Sequence, residues 1–319
     1  MRFARLAFAA LSLALAGASL AQQYPTKPVR IIVPFPPGQA TDILARLLAD
    51  QLSRSLGQQF IAANRPGAGG AVATEAAAKA APDGYTLVMA TISTFGINPS
   101  LYPKLGYVPL RDFAPISNLG LTPQTLVASP KAGFGSLKEF VEKARSTELN
   151  YASSGNGSAS HLSMELFRTA SGARLNHVPF KGNAEALTQV FAGEIPIMFD
   201  AIPGVLAPIK SAKVKALGIA SPKRSPFLPD LPTIAEQGYP GFEAVGWIGI
   251  AAPARTPEPV LKTLQAAIAK ALAEPDVQTR MSELAFVPVG DTPGEFTAFI
   301  KSENAKWAKA VKDSGAKVD

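Results

Sequence analysis

Val29-Arg-Ile-Ile-Val-Pro-Phe-Pro-Pro-Gly-Gln-Ala-Thr-Asp42 is the stretch from which the fold is read. Val29 to Phe35 is a short apolar run closed by prolines, the pattern of a buried strand. From Thr41 to Leu56 the period changes. Ile43, Leu44, Leu47, Leu48 and Leu52 share one face, and Arg46, Asp50, Gln51 and Arg54 share the other, which predicts an amphipathic helix. A strand, a loop and a helix in that order form one unit of a largely parallel α/β sheet.

Outward from this unit the pattern repeats. Phe60 to Ala63 reads as a strand, Asn64 to Gly70 as a Gly-rich loop, Ala71 to Ala80 as a helix and Tyr85 to Ala90 as a strand. A second run follows. Thr125 to Ala128 is a strand, and Ser136-Leu-Lys-Glu139 is a capping box opening a helix to Arg145. Leu149 to Ala152 and His177 to Phe180 are strands around a helix from His161 to Ala170; Asn183 caps a helix to Phe191, and strands follow at Ile195–Phe199 and Val214–Ala220. Ser221 to Gly246 is a Pro- and Gly-rich return crossing into the strand Gly246–Ala252. The tail is helical, capped at Thr256-Pro257 and by a second box at Thr292-Pro-Gly-Glu295. Two such runs joined by Pro-rich crossings imply two lobes with mostly parallel sheets, joined by a hinge. The first, discontinuous lobe spans 22–122 and 224–319, with the tail packed on it, and the second spans 123–223.

The composition narrows the function. Of 319 residues, 47% are hydrophobic, enough for a sizeable core. Arg2 and Arg5 precede an apolar stretch, Leu6 to Ala16, and Ser19-Leu-Ala21 offers small residues at a cleavage site. This reads as a signal peptide over 1–21, and hence export to the periplasm; a short N-terminal membrane anchor is the alternative. No later stretch approaches the ~20 apolar residues of a spanning helix, so the mature chain is not expected in the membrane. The chain carries +7, but its basic spots, Lys210 to Lys215 and Lys301 to Lys312, lack the interleaved aromatics of a nucleic-acid surface. There is no cysteine, and His161 and His177 are the only histidines, which argues against disulfides and against Cys- or His-built metal sites. Gly67-Ala-Gly-Gly70 lacks both the Lys-Ser/Thr of a P-loop and a full dinucleotide fingerprint, so it reads as structural and no cofactor is expected.

Chemistry points to two loops of the same plan. Pro34 to Asp42 and Ser153 to Ser160 each follow a strand and open a helix. Ligands of α/β sheets bind beyond the carboxyl ends of strands, and a helix N-terminus there offers unpaired N–H groups to an anion. The candidates are Pro37, Gly38, Gln39, Ala40, Thr41 and Asp42 on the first loop, with Ser154, Gly155, Asn156, Gly157 and Ser158 on the second. The plainer reading is two ordinary βα turns. Neither loop holds Lys or Arg, so recognition would rest on amides, hydroxyls and water. Lys181 is a possible added charge or a solvated surface residue. Asp200 is a partner for a ligand amine or hydroxyl, or a cap, and His161 is a ligand contact or a helix-end residue with its own partners. A hydrolase using Ser153, Ser154, Ser158 or Ser160 with His161 and Asp200 is a further possibility, but no Gly-x-Ser-x-Gly elbow occurs.

From about Tyr24 onward the chain closely resembles the Bug family, extracytoplasmic receptors of tripartite tricarboxylate transporters. The likeness is carried by Tyr24 to Gly38, Thr41-Asp42, Asn64 to Gly70, Ala81-Pro-Asp-Gly-Tyr85 and Asn98-Pro-Ser-Leu-Tyr102. It continues in Asp112 to Ile116, Tyr151 to Gly155, His177-Val-Pro-Phe-Lys-Gly182, Met198-Phe-Asp200, Lys223-Arg-Ser-Pro226, Leu228 to Thr233 and Gly246 to Pro253. The resemblance implies a type II periplasmic-binding-protein fold. It also implies closure on a small carboxylate (a di- or tricarboxylate, acidic amino acid or aromatic acid) for membrane transporter subunits, without catalysis, by a monomer. A sensor presenting its ligand to a signalling partner is the alternative. It also implies that one carboxylate is gripped by Pro37 to Asp42 and Ser154 to Ser158, with Thr91, Ser93 and Thr94 of the loop Thr91–Gly96 lining the cleft. The chain departs from the family pattern in having Gln39 where a second glycine is common and Phe95 where a histidine is frequent. A ring at Phe95 facing the cleft would favour an aromatic or apolar ligand tail.

Overall fold

A computed structural model describes residues 24–318; the expected signal peptide, 1–21, lies outside the described residues. β1 (Val29–Val33) pairs in parallel with β2 (Phe60–Asn64) on one side and β3 (Thr86–Thr91) on the other. Val29, Ile31, Ile32 and Val33 are buried, which accounts for the nearly unbroken apolar run. α1 (Ala40–Leu56) lays Leu44, Leu48 and Leu52 on this sheet and stops at Gly57, which takes the left-handed conformation. Each leucine so buried contributes about 1.5–3 kcal/mol. α2 (Ala71–Ala78) follows the Gly-rich loop, and a π-helical turn (Ile92–Ile97) runs from β3 into the short helix α3 (Asn98–Leu101).

After α4 (Pro109–Asp112) comes β4 (Phe113–Ala128), sixteen residues long where only Thr125–Ala128 was expected. Its prolines, Pro115 and Pro123, are what hid it, because proline cannot donate to a ladder. They fall where the ladder changes. A register shift follows Pro115, and Pro123 is the last residue paired with β9 (Val245–Pro253) before Gln124 opens the pairing with β7 (Ile197–Ala201). β4 therefore joins the β9 side of the sheet to the β7 side.

The second run contains α5 (Leu137–Ser146), β5 (Leu149–Ser153), α6 (Ala159–Ser171), β6 (Leu175–Pro179), α7 (Asn183–Ala192), α8 (Ile202–Lys210) and β8 (Lys215–Ile219). α8 was not predicted; Pro203 sits at its start and Pro208 within it. The tail adds α9 (Glu258–Ala273), α10 (Pro275–Glu283), β10 (Val287–Pro288) and α11 (Pro293–Ser314). The strand order is β2-β1-β3-β9-β4-β7-β5-β6, with β8 and β10 also on β4. The parallel pairs lie toward the two ends of this order, and β9 and β4 run antiparallel between them. Three crossings are tied at one point: Gln124 N–H donates to Ala244 O, Ala244 N–H to Ala220 O and Ala220 N–H to Gln124 O.

Caps differ in detail from the sequence reading. Ser136 caps α5, but the Glu139 carboxylate takes the Gly135 N–H, so the box is shifted by one residue. Gly182, not Asn183, is the N-cap of α7; the Asn183 amide donates to Asp200 instead. Pro257 precedes α9 and Thr256 donates to Pro253 O. The Thr292–Glu295 box is complete. α9 packs on α1, while α11 packs on the π turn and α3 and also on α6 of the second run. Among the described residues no helix is long and apolar enough to cross a membrane.

Candidate functional site

The first loop is built by a charge turned away from the cleft. Gly38, at φ +81°, makes the bend, and its N–H donates to Asp42 Oδ2 at 2.9 Å. Arg46 Nε donates to the same oxygen at 3.0 Å, and Asn64 Nδ2 donates to Oδ1 at 2.8 Å and to Phe35 O. Burial alone would raise the Asp42 carboxyl, but the bonds from Arg46, Gly38 and Asn64 outweigh it and hold the group below the usual carboxylate range. Asp42 thus fixes the loop and does not reach the cavity. Gln39 is the N-cap residue of α1 and its side chain does not cap. The N–H groups of Ala40 and Thr41, in the open first turn, have no bond to another described residue.

The second loop is a hydroxyl network. Ser158 caps α6 by accepting from His161 N–H, and Ser160 Oγ links Ser158 Oγ, Ser154 Oγ and Ser154 N–H at 3.0, 3.1 and 3.0 Å. Behind it, His161 Nδ1 accepts the Gly157 N–H at 3.1 Å, and Ser153 Oγ lies 2.6 Å from His177 Nε2. The two imidazoles stack at 3.9 Å. Burial lowers both, His161 to about 4 and, with help from its neighbour, His177 to about 3. His161 is therefore a neutral acceptor that holds the loop, not a group facing the cleft. The Ser–His pair that forms, Ser153 with His177, is turned away from the cavity, while Ser154 pairs with Ser160. No hydrolytic triad with Asp200 is assembled.

Both loops open on one cavity of about 80 Å³, room for roughly half a dozen water-sized groups. Gln39, Ala40 and Thr41 line it from the first loop, Thr91 from the end of β3, Ser93 from the π turn, Ser154 and Ser158 from the second loop, and Asp200 from the end of β7. The hydroxyls of Thr41 and Ser93 have no bond to another described residue. No Lys or Arg lines this cavity among the described residues. Asp200 is fully buried. Ala201 N–H and the Asn183 amide donate to Oδ1, Oδ2 has no partner, and burial pushes the carboxyl up to about 7.

The remaining candidates lie elsewhere. Pro37, Gly38 and Lys181 line a neighbouring cavity, and Gly155 and Asn156 line a third together with Lys181. Thr94 exchanges bonds with Thr91, holding the turn from inside. Gly157 packs on α3, where an added methyl would meet Leu101 Cδ2 at 2.6 Å. Phe95 does not face the cleft; it is fully buried against Phe113, ring centroids 5.0 Å apart, because the π turn drives it into the core. The sequence reading missed Gln124, Asn183 and Trp247, which line the main cavity. Trp247 stands at the wall because Glu303 on α11 accepts from its indole and from that of Trp307, both at 2.9 Å. That bond spans 56 residues and leaves no local trace. Asn183 sits in the Phe180-Lys-Gly-Asn segment, a βα junction like the other two, which is the signal that could have found it.

The sequence profile described as "Tripartite tricarboxylate transporter family receptor" matches residues 44–316. Protein BugT of Bordetella pertussis is 39% identical over 93% of this chain and 92% of its own length. A Rhodopseudomonas palustris protein solved with adipate is 34% identical and superposes with TM-score 0.88 over 92% of this chain and 100% of that one. MatC of the same organism, solved with bound malate, is 36% identical with TM-score 0.84 over 90% and 100%.

Proposed function

The chain belongs to the tripartite tricarboxylate transporter receptor family, and on that premise we propose that it captures a small carboxylate in the main cavity and delivers it to a membrane transporter. The observation that carries this reading is the convergence of two helix N-termini, those of α1 and α6, on one cavity with free hydroxyls and, among the described residues, no cationic side chain. Open N–H groups and the positive ends of two helix dipoles favour an anion there. Relatives solved with adipate and malate support a carboxylate. The ligand is held without covalent chemistry, as is usual for solute-binding relatives. The acting form is the exported, monomeric mature protein in the periplasm. Its lobes, 22–122 with 224–319 and 123–223, close around the ligand about the crossing at Pro123-Gln124.

The test is a thermal-shift screen of the mature protein against dicarboxylates, tricarboxylates, acidic amino acids and aromatic acids. A ligand that binds only the folded state adds about 4 kcal/mol at a thousandfold excess over its Kd, so a true ligand gives a large shift. Ser154→Ala removes a hydroxyl from the cavity and is expected to weaken that acid about tenfold or less. No shift with any acid, in protein shown by native mass spectrometry to carry no bound ligand, sinks the reading.

A further inference from the structure

Three cavities meet at the first loop. Beside the main one of about 80 Å³ lie one of about 500 Å³, between Pro36–Ala40 and Lys181–Glu185, and one of about 570 Å³, bounded by the first loop, the Gly-rich loop and Ser154–Asn156. Among the described residues Gln39 alone lines all three. Its carboxamide is not used as a cap and makes no hydrogen bond to another described residue. It reaches from the first lobe to the second, where a methyl added to Gly182 would meet Gln39 Nε2 at 2.9 Å. Gly182, at φ +136°, holds a conformation that suits glycine and leaves room for that amide. An uncommitted polar group thus stands as a partition between a small inner space and two larger outer ones.

We propose that Gln39 sets the length of the acid this protein accepts. The inference rests on the carboxylate reading above. An acid anchored by one carboxylate in the main cavity presents its far end to the Gln39 amide. The amide donates to a second carboxylate or hydroxyl of a short acid and bars a longer chain from the outer cavities. Both outer cavities are lined by Lys181, so a diacid that passed the partition would find a cation for its far carboxylate.

The experiment is calorimetry of wild type and Gln39→Gly with straight-chain dicarboxylates of three to eight carbons. Glycine is well tolerated at a helix N-cap, so the variant should fold, and a thermal melt verifies this. The expected result is a preferred chain length about two carbons longer in the variant, with affinity for the best short diacid down about tenfold. The same length preference and affinities in both proteins would overturn the proposal. A wild type that binds none of these or the other acids screened would overturn the carboxylate reading instead, and this inference with it.

Discussion

Three titratable groups at or behind the cleft, His161 and Asp200 buried and His177 half-buried, pull stability in opposite directions with pH. His161 and His177 stack face to face, with Tyr151 and Ser153 against them and the Glu165 carboxylate held by Tyr151 OH. In an unfolded chain each histidine titrates near 6.5. In the fold, burial holds them at about 4 and about 3. Between pH 6.5 and 4 the unfolded chain therefore binds protons that the folded one refuses, and stability falls as pH falls through that window. Asp200 acts in the other sense. Folded, it keeps its proton up to about pH 7, whereas unfolded it loses it near 3.9, so it offsets one of the two histidines. Asp200→Asn is expected to steepen the acid loss of thermal midpoint between pH 6.5 and 4, and His161→Gln with His177→Gln to flatten it. Melts at pH 7, 6 and 5 decide; parallel curves for all three proteins would contradict the assignment.

At the scale of the element, the first strand–loop–helix unit shows a side chain acting on the site from outside it. Asp42 never reaches the cavity, yet it holds the Gly38 N–H, Arg46 and Asn64 together, and so sets where the open turn of α1 points. Asp42→Ala leaves these donors unmatched. The expected loss is about 2 kcal/mol, with weaker ligand binding although no ligand contact is removed. Urea denaturation and calorimetry on the same variant measure both; unchanged affinity would mean the turn keeps its geometry without the clamp. The unit itself was legible in sequence because its signals are local: an apolar run, a proline stop and a 3.6-residue period. β4 was not, because its prolines read as breaks, while in the fold they mark where one strand changes partners.

On the scale of the whole molecule, the two strand–loop–helix runs meet at glycines. Gly157 of the second loop lies against Leu101, Tyr102 and Asn98, Gly69 lies against Asn156, and Gly182 lies against Gln39. A side chain at any of these seams meets the other run. Gly157, at φ +73°, also resists one by its conformation. On the proposed closure of two lobes, Gly157→Val is expected to hold them apart, with ligand affinity at least about tenfold weaker. Small-angle scattering should then show no compaction on adding the acid that compacts wild type. Equal compaction in the variant would show that closure does not run through this seam.

The sequence by itself determined the two strand–loop–helix loops and the order of most elements, since residue type, period and turn chemistry are local properties of the chain. Only the tertiary structure decided which of those loop residues meet. Asp42, Thr94 and His161 lie next in sequence to cavity residues, yet they turn inward, each taking a hydrogen bond that the loop needs to hold its shape. Trp247, Gln124 and Asn183 enter the same cavity from distant segments. Their arrival depends on β4 changing partner and on the Glu303 carboxylate fixing an indole 56 residues away. Burial couples residues without regard to their spacing along the chain, and spacing is what a sequence reading uses.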